Sequence, residues 1–174
     1  ILRAYWNTLL YTAAGTLINV SMALITAYPL SRRDLRGRGF LMLIFTFTMF
    51  FSGGMIPSYI NISNLHLMNT FWVMVLPGAL SVYNMIVTRT FIQTSIPYEM
   101  LEAASIDGCN DTKYFFSFVL PLSKAIIAVN TLFSAVNHWN AYFNAMIYLN
   151  DRDKLPLQNI MRELLVLNEM NLSD

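Results

Sequence analysis

Side chains able to do acid–base, nucleophilic or metal chemistry are few in this sequence, and no spacing among them builds a reactive centre. The two histidines, His66 and His138, lie far apart in the chain. A solvated or interfacial role accounts for His66, and two imidazoles without acidic neighbours support no metal site. The single cysteine, Cys109, excludes an internal disulfide framework and a multi-cysteine metal centre. Ser123 and Lys124 are adjacent, so a helix turns them to different faces. No G-x-x-x-x-G-K-[ST] run occurs, and Gly37-x-Gly39 lacks the strand, third glycine and helix of a dinucleotide site. The sequence therefore assigns no catalytic residue, no metal and no cofactor. What it does concentrate is acid: Glu99, Glu102, Asp107 and Asp111 stand together with no Lys or Arg between positions 90 and 112. Carboxylates in that setting can pair with a basic partner.

The elements that must position them are apolar. Of 174 residues, 56% are hydrophobic and 12% charged, about half the charge of a soluble domain, so lipid is the implied solvent. The net charge of +1 gives no basic field for nucleic acid. Ala4–Ser31, Gly39–Leu65 and Leu67–Thr88 carry no charge, and Tyr114–Asn137 carries only Lys124. Each exceeds the roughly 20 residues needed to cross about 30 Å of hydrocarbon, and each must be helical to satisfy its amides. The reading is an all-α membrane protein with spans at about 5–30, 40–60, 68–90 and 114–137. Gly53-Gly54 with Pro57, Pro77-Gly78, and Pro121 are expected to break or kink these helices. The densest positive cluster, Arg32, Arg33, Arg36 and Arg38 against Asp34, places the loop after the first span in the cytoplasm. Alternation then puts 89–113 inside, and 1–5, 57–68 and 138–174 outside.

The loop 93–113 reads QTSIPYEMLEAASIDGCNDTK. Ser95 is a candidate N-cap, Pro97 suits a first turn, and Glu99 suits the positive end of the dipole. Met100, Leu101 and Ala104 form an apolar patch at helical spacing. Gly108 is a left-handed stop, and Asn110 or Asp111 caps the next helix. A membrane-lying helix would want basic flanks, and anionic lipid repels this acidic one. Docking to a partner is the better reading.

The run Glu102-Ala103-Ala104, three residues, Gly108, nine residues, Phe118-Val119-Leu120-Pro121 resembles the EAA signature of permease subunits of ATP-binding-cassette importers. Phe118 stands where an aliphatic residue is usual. The wider text is similar to the carbohydrate-uptake class, and closest to the MalG-like partner of a MalF-like subunit. One departure is Ala125, where many relatives carry proline. The resemblance implies a type I importer (MetI-like) transmembrane helix bundle in the bacterial plasma membrane. It also implies one further span before and one after the part represented here. It implies sugar or oligosaccharide import rather than catalysis. The implied partners are a cytoplasmic ATPase dimer, a second (MalF-like) permease subunit, an extracellular sugar-binding lipoprotein and the lipid bilayer. Glu102, Ala103, Ala104, Asp107 and Gly108 would form the ATPase contact, and 138–174 an extracellular tail.

Candidates for a sugar path are Asn84, Asn130, Asn137, Trp139 and Asn140, with Tyr142 and Asn144 nearby. Interhelical hydrogen bonding competes for Asn84 and Asn130, and an interfacial aromatic belt for Trp139 and Tyr142. Lys124 reads as a snorkelling anchor. The tail holds a candidate helix near Leu157–Leu167. Two other classes are weighed against the importer. A secondary transporter would want membrane-buried charge, and an intramembrane enzyme would want a reactive constellation; the sequence offers neither.

Overall fold

The computed structural model describes residues 1–172, and these are helical with no strand. Helix α1 (Leu2–Ser31) is unbroken. Two of its threonines return their hydroxyls to the backbone, Thr8 to the Ala4 carbonyl at 3.0 Å and Thr26 to that of Met22 at 2.6 Å, so these two cost little inside an apolar helix. The chain then turns through the basic segment, with Gly37 at φ 81°, into α2 (Arg38–Phe50).

The stretch 40–60 is two helices rather than one. Phe51 is extended and Gly54 takes φ 87°, so the helix breaks there between α2 and α3 (Met55–Asn64). The stretch 68–90 departs further from a continuous rod. Helix α4 (Trp72–Val75) is a single turn, and α5 (Val82–Ser95) starts only at Val82. Leu76 still has helical backbone angles, φ −72° and ψ −42°, but the helix stops at Pro77-Gly78, and the Ser81 hydroxyl accepts from the Asn84 amide at 3.3 Å, which starts a new helix.

After α6 (Tyr98–Ile106), α7 (Asp111–Tyr114), a π-helical turn (Phe115–Val119) and α8 (Leu120–Leu122) run together. They meet α9 (Lys124–Trp139) at 76°. Pro121 lacks an amide hydrogen, and the Ser123 amide divides between Val119 and Leu120 at 2.9 and 3.2 Å, so the ladder resets there. Helices α10 (Tyr142–Tyr148) and α11 (Leu157–Leu172) complete the fold. The tail helix thus runs further than its sequence pattern suggested. Among the described residues one helix, α1, is long and apolar enough to cross a membrane, or up to three segments if each bent pair is one span; 68–90 is not among them.

Two units emerge. The first gathers Ile1–Ile18, Gly53–Ala79 and residues from Phe133 onward. Its core is Tyr11, Ile62, Val73, Val75, Ala145 and Tyr148, and it is tied by Asn7 to the Asp153 carbonyl (2.7 Å) and by the Asn69 amide to the Tyr148 carbonyl (2.9 Å). The second holds Asn19–Ser52 and Leu80–Leu132. Its core joins Ala27, Leu30, Met85, Ile92, Leu101, Ala104, Tyr114 and Val119, and α2 packs on α5. The first unit contains the segments expected outside, and the second those expected inside.

Candidate functional site

The acidic loop forms a short helix and an elbow. Ser95 does not cap it: that residue is the last of α5, which runs one turn past Phe91, and Pro97 takes the N-cap position of α6 with no side-chain cap. The apolar patch of α6 faces the protein's own core, with Leu101 and Ala104 both 7% exposed against Ile96, Tyr114 and Val119. Of the five residues assigned to the partner contact, Glu102, Ala103, Asp107 and Gly108 are exposed, and the Ala104 side chain is buried. The outer face also carries Ile106, 87% exposed. Sequence reasoning passed over it; its place three and four residues beyond Ala103 and Glu102 on one helical face was the available signal.

The elbow is built from backbone conformation. Gly108 has φ 75°, and the Cys109 amide reaches the Ala104 carbonyl at 2.9 Å, a Schellman-type closure that satisfies the end of α6. The Asn110 side chain then accepts from the Lys113 amide at 2.8 Å and starts α7.

Beside the elbow lies a cationic node that sequence reading missed. Arg32, only 15% exposed in its side chain, donates from Nε and Nη2 to the Asp34 carboxylate at 2.8 and 2.6 Å. Its Nη1 donates to Asp111 and, at 3.1 Å, to the Tyr28 hydroxyl. The forked hydrogen bond from Arg32 holds the Asp34 carboxyl below the usual carboxylate range, and the same contact holds Arg32 above the usual arginine value. Arg38 donates to the Arg32 carbonyl at 3.1 Å, and Arg33 lies over the Tyr98 ring at 5.2 Å. Tyr28, Arg32, Arg33, Arg38, Tyr98 and Glu99 help to line a cavity of about 510 Å³. Arg32 pairs with a residue 79 positions away, and no local pattern signals such a pair.

The sugar-path candidates divide between the units. In the second, Asn130 is 1% exposed and donates from Nδ2 to the Thr88 hydroxyl at 2.7 Å. Thr88 in turn donates to the Asn84 carbonyl at 2.7 Å. This is an α5–α9 hydrogen bond in an apolar interior, and Thr88 is the member the sequence did not mark. In the first unit Asn137 and Asn140 are exposed, Asn140 returns to the Val136 carbonyl at 2.9 Å, and Trp139 meets Tyr5 edge to face at 6.3 Å. Tyr142 sits under the Arg162 guanidinium at 5.3 Å. Lys124 is exposed at the α8–α9 break. No group of three or more His, Cys, Asp or Glu able to hold a metal occurs among the described residues.

Residues 4–161 match the binding-protein-dependent transport system inner membrane component family, and the chain belongs to it. That is a family of transport components, not enzymes, and it places the chain in a membrane.

The chain is 45% identical over 157 residues to the polygalacturonan/rhamnogalacturonan transport system permease protein YtcP of Bacillus subtilis strain 168, covering 90% of this chain and 54% of that one. It is 40% identical over 169 residues to Protein LplC of the same organism, covering 97% and 57%. A crystal structure of a bacterial ABC transporter involved in the import of the acidic polysaccharide alginate aligns at a TM-score of 0.90 and 34% identity. That alignment covers 93% of this chain and 57% of the matched one. The chain thus spans a little over half the length of these relatives.

Proposed function

We propose that this chain is the central part of a multi-pass permease subunit of an ATP-binding-cassette importer that carries a sugar or oligosaccharide across the bacterial plasma membrane. A separate ATPase dimer drives it through α6. A second permease subunit and an extracellular sugar-binding lipoprotein complete the assembly. The substrate class follows the transported polysaccharides named for the similar proteins.

The observation that carries the reading is the outward face of α6. Its own core takes Leu101 and Ala104, while Glu102, Ala103, Ile106 and Asp107 stay exposed. A nearly naked isoleucine beside two carboxylates suits a groove with an apolar floor and a basic rim. The sorting of expected inner and outer segments into separate units supports the topology. So does the Arg32–Asp111 pair, which joins two segments expected on the cytoplasmic side. Closing of the ATPase dimer would move α6, and the elbow would pass that motion to α7.

A cysteine at Ile106 in the full-length permease, with Cys109 replaced by serine, should cross-link to the ATPase in membranes. Glu102→Lys with Gly108→Pro should abolish both the cross-link and ATP-driven transport. Survival of transport and ATPase association in that double variant would remove α6 as the coupling element.

A further inference from the structure

We infer that Arg32 is a positioning residue: by holding Asp111 across the elbow, it sets the angle at which α6 is presented and makes the end of α1 move with it. This rests on the reading of α6 as the ATPase handle, and adds the device that narrows the angle between that handle and α7.

The elbow bends at a glycine between two helices that are each closed by local bonds. Between α6 and α7 stand Asp107, Gly108, Cys109 and Asn110. Gly108 sits at φ 75°, with nothing within 4 Å of where a Cβ would stand, while Cys109 after it packs against the core. Helix α6 is seated on the core by Leu101 and Ala104 and touched by Arg33 over Tyr98, and Arg32 adds the polar tie from the basic turn to the start of α7. Asp111 opens α7, and its side chain is 73% exposed. A free carboxylate there would be solvated. Instead it is held by a guanidinium that is 15% exposed and already fixed from two other directions. Asp34 takes the Nε and Nη2 edge, and the Tyr28 hydroxyl takes the second hydrogen of Nη1. The Arg32 backbone is fixed as well, since its carbonyl accepts from Arg38. One planar fork therefore joins the last turns of α1, the basic turn and the start of α7. Lysine, with a single ammonium, cannot make all of these bonds at once.

Exposed ion pairs contribute little to stability, so the role is geometric. Core packing seats α6 on one side of the glycine hinge, and the tether to Asp111 fixes α7 on the other, so the angle between the two helices has fewer values. With the tether, a push on α6 reaches α1 as well as α7.

The test uses the full-length permease assembled with its own partner subunits and ATPase. Cys109 is replaced by serine, and spin labels sit at Arg36→Cys and Ile106→Cys. Arg36 is exposed and outside the node. The unaltered node should give one narrow distance distribution. In Arg32→Gln and in Asp111→Asn the population outside the main peak should rise about fivefold, the size of effect that one lost ion pair can release. Arg32→Lys should resemble Arg32→Gln, and the double variant should be no broader than either single one. Unchanged distributions in both Arg32→Gln and Asp111→Asn, or effects that add in the double variant, overturn the assignment. Asp111→Asn is isosteric and exposed, so its result stands even where Arg32→Gln fails to assemble. The Ile106 cross-link to the ATPase is scored separately. Its absence in the unaltered chain removes the coupling reading, while the distance distributions still decide whether Arg32 sets the elbow.

Discussion

Arg32 shows how a residue's role depends on its partners. Four arginines in one short loop look alike as sequence and count alike toward the expectation of an inner loop. Only one of them is folded inward among Tyr28, Asp34 and Asp111. The depressed Asp34 carboxyl follows from this. Because its folded value lies below the ordinary value of about 3.9, its contribution to stability is fully present above that value and is lost as pH falls through the folded value. A carboxyl-carbon titration should place the Asp34 midpoint below the ordinary range, and Arg32→Gln should move it back up. A midpoint unmoved by that substitution would mean the fork is not the cause. The same lesson holds for the amides. Asn130 was legible as a polar residue in an apolar stretch, and its spacing was equally consistent with a substrate contact. Burial beside Thr88 at 2.7 Å uses one of its donors within the protein.

At the scale of elements, helix was written in the composition, but where each helix ends was only partly so. Gly108 and a cap at Asn110 or Asp111 were readable because a left-handed stop and a side-chain cap are local chemistry; the structure puts Gly108 at the stop and chooses Asn110 for the cap. Ser95 misled because an adjacent cap signal cannot tell a helix start from the last turn of the previous helix. The breaks at Gly53-Gly54, Pro77-Gly78 and Pro121 were visible as residue types, whereas the 76° bend at Pro121 was not. Helix contact in the first unit offers a test. A Cβ on Gly15 would come within 2.5 Å of the His138 ring. Replacing a helical glycine by alanine gains about 1 kcal/mol from propensity, against a steric cost of about 1–3 kcal/mol. Gly15→Ala should therefore lower the unfolding temperature in detergent, and in a His138→Ala background it should leave it unchanged or raise it. The same loss in both backgrounds would show that the ring is not what alanine meets.

Across the whole molecule the dominant feature is apolar surface without cover. Helix α2 buries no residue, and Phe40, Leu43, Phe47 and Phe50 are all more than half exposed. Water does not tolerate a face of that extent on a monomer; lipid does. The full-length protein should sediment with membranes, resist alkaline carbonate, and need detergent to leave them. Release by carbonate alone would contradict the membrane assignment. What the sequence by itself determined is the solvent, the helical class, the inner position of the basic loop as an expectation, and the elbow, since each depends on composition or on neighbours within a few residues. What only the tertiary structure decided is which polar groups are spent internally. Ala104 turns inward while Ile106 turns outward, Asn130 finds Thr88, and Arg32 finds Asp111. Those choices depend on residues many positions apart, and distance along the chain carries no information about which faces meet once an apolar helix has several ways to pack.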